Sequence, residues 1–118
     1  MKTGADLIAE AKTRIRQVTV AEVQRALAGA AAPLVIDCRE PQETNLGRIP
    51  GAIVIPRGVL ETKVEAIAPR DADIVLYCAG GNRSALAADT MQQMGYTRVA
   101  SMAGGFGAWA TAGGAVES

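Results

Sequence analysis

The sequence contains no histidine, and that absence removes whole classes of chemistry. A Ser-His-Asp triad, a Cys-His dyad and an imidazole-based metal site all need a ring nitrogen that this chain cannot supply. Cysteine is nearly as scarce: Cys38 and Cys78 are the only two, and they do not form a CxxC pair. Two separated thiols without histidine do not make a structural zinc site. In a reducing compartment they are expected to stay free rather than bridge. Aromatic residues make up 3% of the chain, so the core must be built mainly from Ala, Val, Ile and Leu. Twelve basic and twelve acidic side chains cancel, and neither sign forms a long block. Nucleic acid and an anionic membrane are therefore not expected as partners. Met1 to Ile15 has polar or charged residues every few positions, without the apolar stretch of a signal peptide or a membrane helix. A cytoplasmic protein is expected.

What is present fits one domain. A chain of 118 residues suits a single core, and we read residues 1–118 as one unit, with 1–17 as an N-terminal helical extension and first strand. Gly4 to Thr13 places Leu7, Ile8 and Ala11 at helical spacing. Arg14 to Val18 alternates weakly, as a short strand does, and Thr19-Val20-Ala21-Glu22 has the form of a capping box. Val20, Val23, Ala26 and Leu27 then share one helix face up to a stop near Gly29. Leu34-Val35-Ile36 predicts a buried strand that ends in the polar group Asp37-Cys38-Arg39. Pro41 to Leu46 predicts a turn or brief helix, Arg48 to Ala52 a turn, Ile53 to Ile55 a strand and Val59 to Ile67 a helix. Ile74-Val75-Leu76-Tyr77 is the clearest strand of all. Ala85 to Met94 predicts a helix ending at Gly95, followed by a strand over Arg98 to Ser101 and a helix over Gly105 to Ala112. Strands alternating with helices imply an α/β domain with a mostly parallel sheet and helices on both faces.

The chemistry is concentrated in Tyr77-Cys78-Ala79-Gly80-Gly81-Asn82-Arg83-Ser84. This segment puts a thiol at the carboxyl end of a buried strand, with a helix start a few residues later. Ligands of parallel α/β sheets bind beyond such strand ends, and unpaired N–H groups at a helix start favour negative charge, hence thiolate over thiol. Consecutive glycines let the backbone curl so that N–H groups converge on an anion, and Arg83 adds a permanent planar cation. We take Cys78 as the nucleophile and Ala79, Gly80, Gly81, Asn82 and Arg83 as the substrate-binding loop, with Ser84 in support. A buried, inert thiol is the common fate of a free cysteine, but such a thiol needs neither the glycines nor the arginine. Cys38 lacks following glycines and is expected to pack.

These residues resemble a family. Cys78-x-x-Gly81-x-Arg83-Ser84 looks like the active-site loop of single-domain rhodaneses. Val35-Ile36-Asp37-Cys38-Arg39-Glu40-Pro41 is similar to the family's strand-end Asp-x-Arg segment, and Gly47-Arg48-Ile49-Pro50-Gly51-Ala52 to its Gly-His-Ile-Pro-Gly-Ala turn. Gly104-Gly105 with Ala108-Trp109 resembles its closing Gly-Gly and Trp. The resemblance implies a three-layer domain with a parallel five-stranded sheet. It also implies a sulfurtransferase in which Cys78 accepts a sulfane sulfur from a small anionic donor such as thiosulfate and passes it to cyanide or a thiol, with no cofactor or metal. Asp37 and Arg39 look like the family's supporting pair. Two positions depart from the pattern: Arg48 stands where histidine is usual, and Thr44 where an aromatic is frequent. Arg48 is either a further cation near the site or a solvated turn residue, and Trp109 and Phe106 are expected to pack.

Two other readings compete. A cysteine-dependent phosphatase or arsenate reductase also holds an oxyanion between thiolate, loop amides and arginine. Those phosphatases resemble Cys-x5-Arg, whereas four residues separate Cys78 from Arg83 here, a cradle better suited to a single sulfur atom. A non-catalytic docking module, or a module that relays sulfur to a protein partner, uses the same fold. An intact loop with its thiol favours catalysis over docking alone and leaves the relay open.

Overall fold

The computed structural model describes residues 1–118. Five strands form one sheet: β1 (Arg16–Val18), β2 (Leu34–Asp37), β3 (Ile53–Val54), β4 (Ile74–Tyr77) and β5 (Val99–Met102). Their spatial order is β1-β5-β4-β2-β3, and every neighbouring pair is parallel. Strand order reverses between β4 and β2, so their carboxyl ends flank the crevice where parallel α/β sheets bind ligands. Asp37 pairs with Tyr77 at the end of these two strands. Cys38 and Cys78 are therefore the next residues out, side by side.

Both sheet faces are covered, which is why β4 is buried at all four positions. Ile74 and Leu76 point into one core with Ile36, Cys38, Cys78 and Met91, while Val75 and Tyr77 point into the other with Val23, Val35 and Trp109. This is the alternation a pleated strand imposes. The first core is closed by α4 (Leu60–Lys63) and α5 (Asn82–Gln93), with α1 (Gly4–Arg14) packed on α5. The second is closed by α2 (Val20–Ala28) and α6 (Gly105–Thr111). A short helix, α3 (Pro41–Thr44), follows β2. The sequence at Thr19 folds as its chemistry dictates: Thr19 Oγ1 accepts from Glu22 N at 3.1 Å, and Thr19 N donates to the Glu22 carboxylate at 3.0 Å.

Three segments differ from expectation. The helix over Val59 to Ile67 is only one α turn, α4, between 3-10 turns at Arg57–Val59 and Val64–Ala66. Leu60 and Val64 are fully buried there, but Ile67 is exposed, so a single turn satisfies the core. Leu7 is also exposed, and α1 fully buries only Ala11. Finally, α5 starts at Asn82 instead of Ala85, because Gly81 serves as its N-cap at φ +102°. The early start brings Asn82, Arg83 and Ser84 into the first helical turn.

Candidate active site

Cys78 leaves β4 with its side chain under the start of α5 and is 1% exposed. Its sulfur receives Gly81 N–H at 3.1 Å and Ser84 N–H at 3.4 Å, with Ser84 Oγ at 3.5 Å. Ser84 Oγ is in turn 2.8 Å from Ser101 Oγ on β5. The loop reaches this shape because Gly81 adopts a left-handed conformation that side chains disfavour. A second segment fixes it from behind: Phe106 N donates to the Cys78 carbonyl at 2.7 Å, and Gly107 N to the Ala79 carbonyl at 3.1 Å. So close an approach requires glycine at 105. A Cβ there would run into the Cys78 carbonyl oxygen and come within 2.7 Å of the Ala79 carbonyl carbon, at a φ of +57°.

The surroundings favour charge on this sulfur. The Cys78 thiol is drawn down to about 4, first by the adjacent Cys38 thiol and then by the Ser84 hydroxyl and the Ser84 and Gly81 N–H groups; burial opposes them. Cys38 moves the other way, pushed up by the same contact and by burial. The same neighbourhood thus pushes the two thiols in opposite directions. Cys38 is fully buried, as a packing role requires, and its S–H donates to the Tyr77 carbonyl at 3.1 Å.

Arg83 is where the sequence places it, but its guanidinium is occupied. Nη1 and Nη2 donate to the two carboxylate oxygens of Glu43 at 2.8 and 3.0 Å. Glu43 is held down to about 2, chiefly by Arg83 and further by the Glu40 N–H and nearby arginine charge, against some burial. Sequence reasoning missed Glu43. Its signal is the spacing Glu40-Pro41-Gln42-Glu43, an N3 position whose Oε1 accepts Glu40 N at 3.0 Å and so starts α3. Asn82 turns its side chain to the N-terminal helix, where Lys12 Nζ donates to it at 3.1 Å. Ala79 and Gly80 are exposed above the sulfur.

Asp37 and Arg39, the expected supporting pair, are both buried. Arg39 Nη2 donates to Asp37 at 2.9 Å and to the Gly47 carbonyl at 2.7 Å, and Tyr77 Oη donates to Asp37 at 2.7 Å. Ile49 N donates to Tyr77 Oη at 3.0 Å. The side chains of Asp37 and Tyr77 face the α2/α6 side of the sheet, opposite both thiols. The network therefore reaches the loop only indirectly: the Arg39 guanidinium lies 4.3 Å over the Phe106 ring, and the Phe106 backbone holds Cys78. Arg48 is paired with Glu117 across an antiparallel bridge, with Nε 3.4 Å from the carboxylate. Thr44 is buried, and its hydroxyl donates to the Pro41 carbonyl. Trp109 is a core residue whose indole N–H donates to the Ala115 carbonyl.

No cavity opens at the loop. The larger of two surface cavities, about 450 Å³, lies on the far face of the sheet against Leu27, Ile49, Pro50 and Trp109. No cluster of three or more His, Cys, Asp or Glu side chains is arranged to hold a metal ion, and no helix is long and apolar enough to cross a membrane.

Residues 19–112 match the model of the rhodanese-like domain family. A protein named sulfurtransferase from Allochromatium vinosum is 34% identical over 81% of this chain and 89% of its own length. A putative sulfur carrier protein of Bacillus subtilis is 26% identical over 92% of this chain and 58% of its own. Among solved structures, a rhodanese-related protein of Thermoplasma volcanium superposes with a TM-score of 0.78 at 33% identity, covering 86% of this chain and 97% of its own. A protein of unknown function from Rhodopseudomonas palustris, described as a possible tyrosine phosphatase, superposes with a TM-score of 0.89 at 39% identity, covering 99% and 96%.

Proposed function

The chain belongs to the rhodanese-like domain family, and on that footing we propose that it is a sulfurtransferase working through a persulfide on Cys78. The observation that carries this reading is the cradle of Gly81 and Ser84 N–H groups closed around one sulfur atom at the start of α5. In the first half-reaction the Cys78 thiolate attacks the outer sulfur of a donor such as thiosulfate. The donor's S–S bond breaks with its electron pair leaving on sulfite, and Cys78 becomes a persulfide anion. In the second, cyanide or a thiolate attacks the outer persulfide sulfur, and the bond electrons return to Cys78. No proton acceptor is needed for these steps, which suits a chain without histidine. Loop N–H groups stabilise whichever sulfur carries the charge. A small thiol or a thiol on a protein partner fits the acceptor role in the second half-reaction.

The description of the R. palustris relative keeps phosphoryl transfer as the rival reading. Three features favour sulfur over phosphate. The loop is one residue shorter than Cys-x5-Arg, its N–H groups are already directed at Sγ, and the Arg83 guanidinium is taken by Glu43. Thiocyanate formation from thiosulfate and cyanide, assayed beside phosphate-ester hydrolysis, separates the two. We expect thiocyanate in the wild type and none with Cys78→Ser. Phosphate release without thiocyanate would overturn the proposal.

A further inference from the structure

An anion-binding loop ordinarily offers its arginine to the substrate. Here the guanidinium that faces the Cys78 loop is held by a bidentate carboxylate, and the side chains of Arg83 and Glu43 are about one-third exposed. Glu43 also caps α3 through the Oε1 atom that Arg83 contacts, so its position is set twice. Two other arginines lie near the strand ends: Arg39 is neutralised by Asp37 on the opposite sheet face, and Arg57, whose backbone N–H donates to the Cys38 carbonyl, is paired with Glu61. Lys12 is engaged at the Asn82 side chain. The mouth thus presents a carboxylate at its rim where an unpaired cation would stand. A donor carrying two negative charges must either displace Glu43 or approach against it.

Resting on the sulfurtransferase reading, we propose that Glu43 is a specificity-determining residue. By occupying Arg83 it disfavours doubly charged sulfur donors and directs the loading step to persulfides of the class R–S–SH. The Cys78 thiolate bonds to the terminal sulfur of R–S–SH, and the S–S bond that joined this sulfur to R–S breaks. The proton moves to the departing thiolate, giving R–SH and the Cys78 persulfide anion. No oxidant or reductant enters.

Glu43→Gln keeps the Oε1 acceptor for the Glu40 N–H while removing the charge. The measurement is the ratio of kcat/KM for thiosulfate to kcat/KM for glutathione persulfide, with cyanide as common acceptor. We expect this ratio to rise about tenfold or more in Glu43→Gln, the scale of one carboxylate acting at close range in a partly screened site. An unchanged or lower ratio would overturn the proposal. A second readout needs no variant: in the wild type, added salt should raise the ratio, because it screens repulsion of thiosulfate, both of whose charges sit on the reacting group, more than that of a persulfide whose reactive S–SH end is uncharged. A ratio that falls with salt would mark a net positive mouth and overturn the assignment by itself. Loading from neither donor would overturn the sulfurtransferase reading together with this one, whereas a flat ratio in an active enzyme sinks this one alone.

Discussion

A free thiol with a pKa of about 8.5 is mostly protonated at neutral pH, and only its thiolate attacks. Cys78, drawn down to about 4, should be alkylated by iodoacetamide at a rate that is level through neutral pH and halves near pH 4. Removing the largest stabilising contact with Cys38→Ala should move that midpoint upward while leaving the reaction possible. An unmoved midpoint would show that the loop N–H groups suffice. The sign of the linked stability is fixed as well. A thiolate favoured by folding contributes fully above the unfolded-state pKa and loses that contribution as pH falls toward 4. The thermal midpoint of the wild type should therefore gain more between pH 5 and 8 than that of Cys78→Ser. Cys38 reads as packing in the sequence because no glycine follows it. Its contact with Cys78 depends on the register of β2 against β4, which no local pattern encodes. Glu43 escaped notice for the same reason, since its partner is forty residues away. Asp37→Asn belongs to this scale too. It leaves the buried Arg39 charge without a carboxylate and should cost about 3–5 kcal/mol in denaturant unfolding; a loss near zero would mean that the Gly47 carbonyl alone satisfies the arginine.

Elements were legible where local chemistry decides them. The Thr19 capping box, the apolar run of β4 and the glycine after α5 each carry their own signal, and each appears within a residue or two of its expected place. Boundaries moved where tertiary contact decides. The start of α5 advanced to Asn82 because Gly81, seated against Gly104, can take the left-handed turn. That shift places the sulfur at a helix N-terminus, so a boundary error of three residues bears directly on the chemistry. The loop's support by Gly105 gives a prediction for the element. Gly105→Ala introduces a Cβ against the Cys78 and Ala79 carbonyls at positive φ and should cost about 1–3 kcal/mol. The rate of sulfur loading should fall with it, because the N–H groups around Sγ would turn away. Wild-type stability and loading would mean that the α6 start does not hold the loop.

At the scale of the molecule, one sheet serves both cores, and neither helical layer has a core of its own. Unfolding is accordingly expected as a single cooperative transition, and, with both cysteines free, at the same midpoint with and without a reducing agent. Two separated transitions in calorimetry would contradict this. The α/β class, the five parallel strands and the order of elements followed from alternation and from the resemblance. The strand order that brings β2 beside β4 did not, yet it is what sets two thiols together at the sheet's switch point. The proposed function rests on the sulfur of Cys78, and the direct test is intact-protein mass spectrometry after brief exposure to thiosulfate or glutathione persulfide. The account predicts a mass gain of one sulfur atom in the wild type, removed by cyanide and absent in Cys78→Ser. A folded wild-type protein with a free thiol and no gain from either donor, or the same gain in Cys78→Ser, would contradict it.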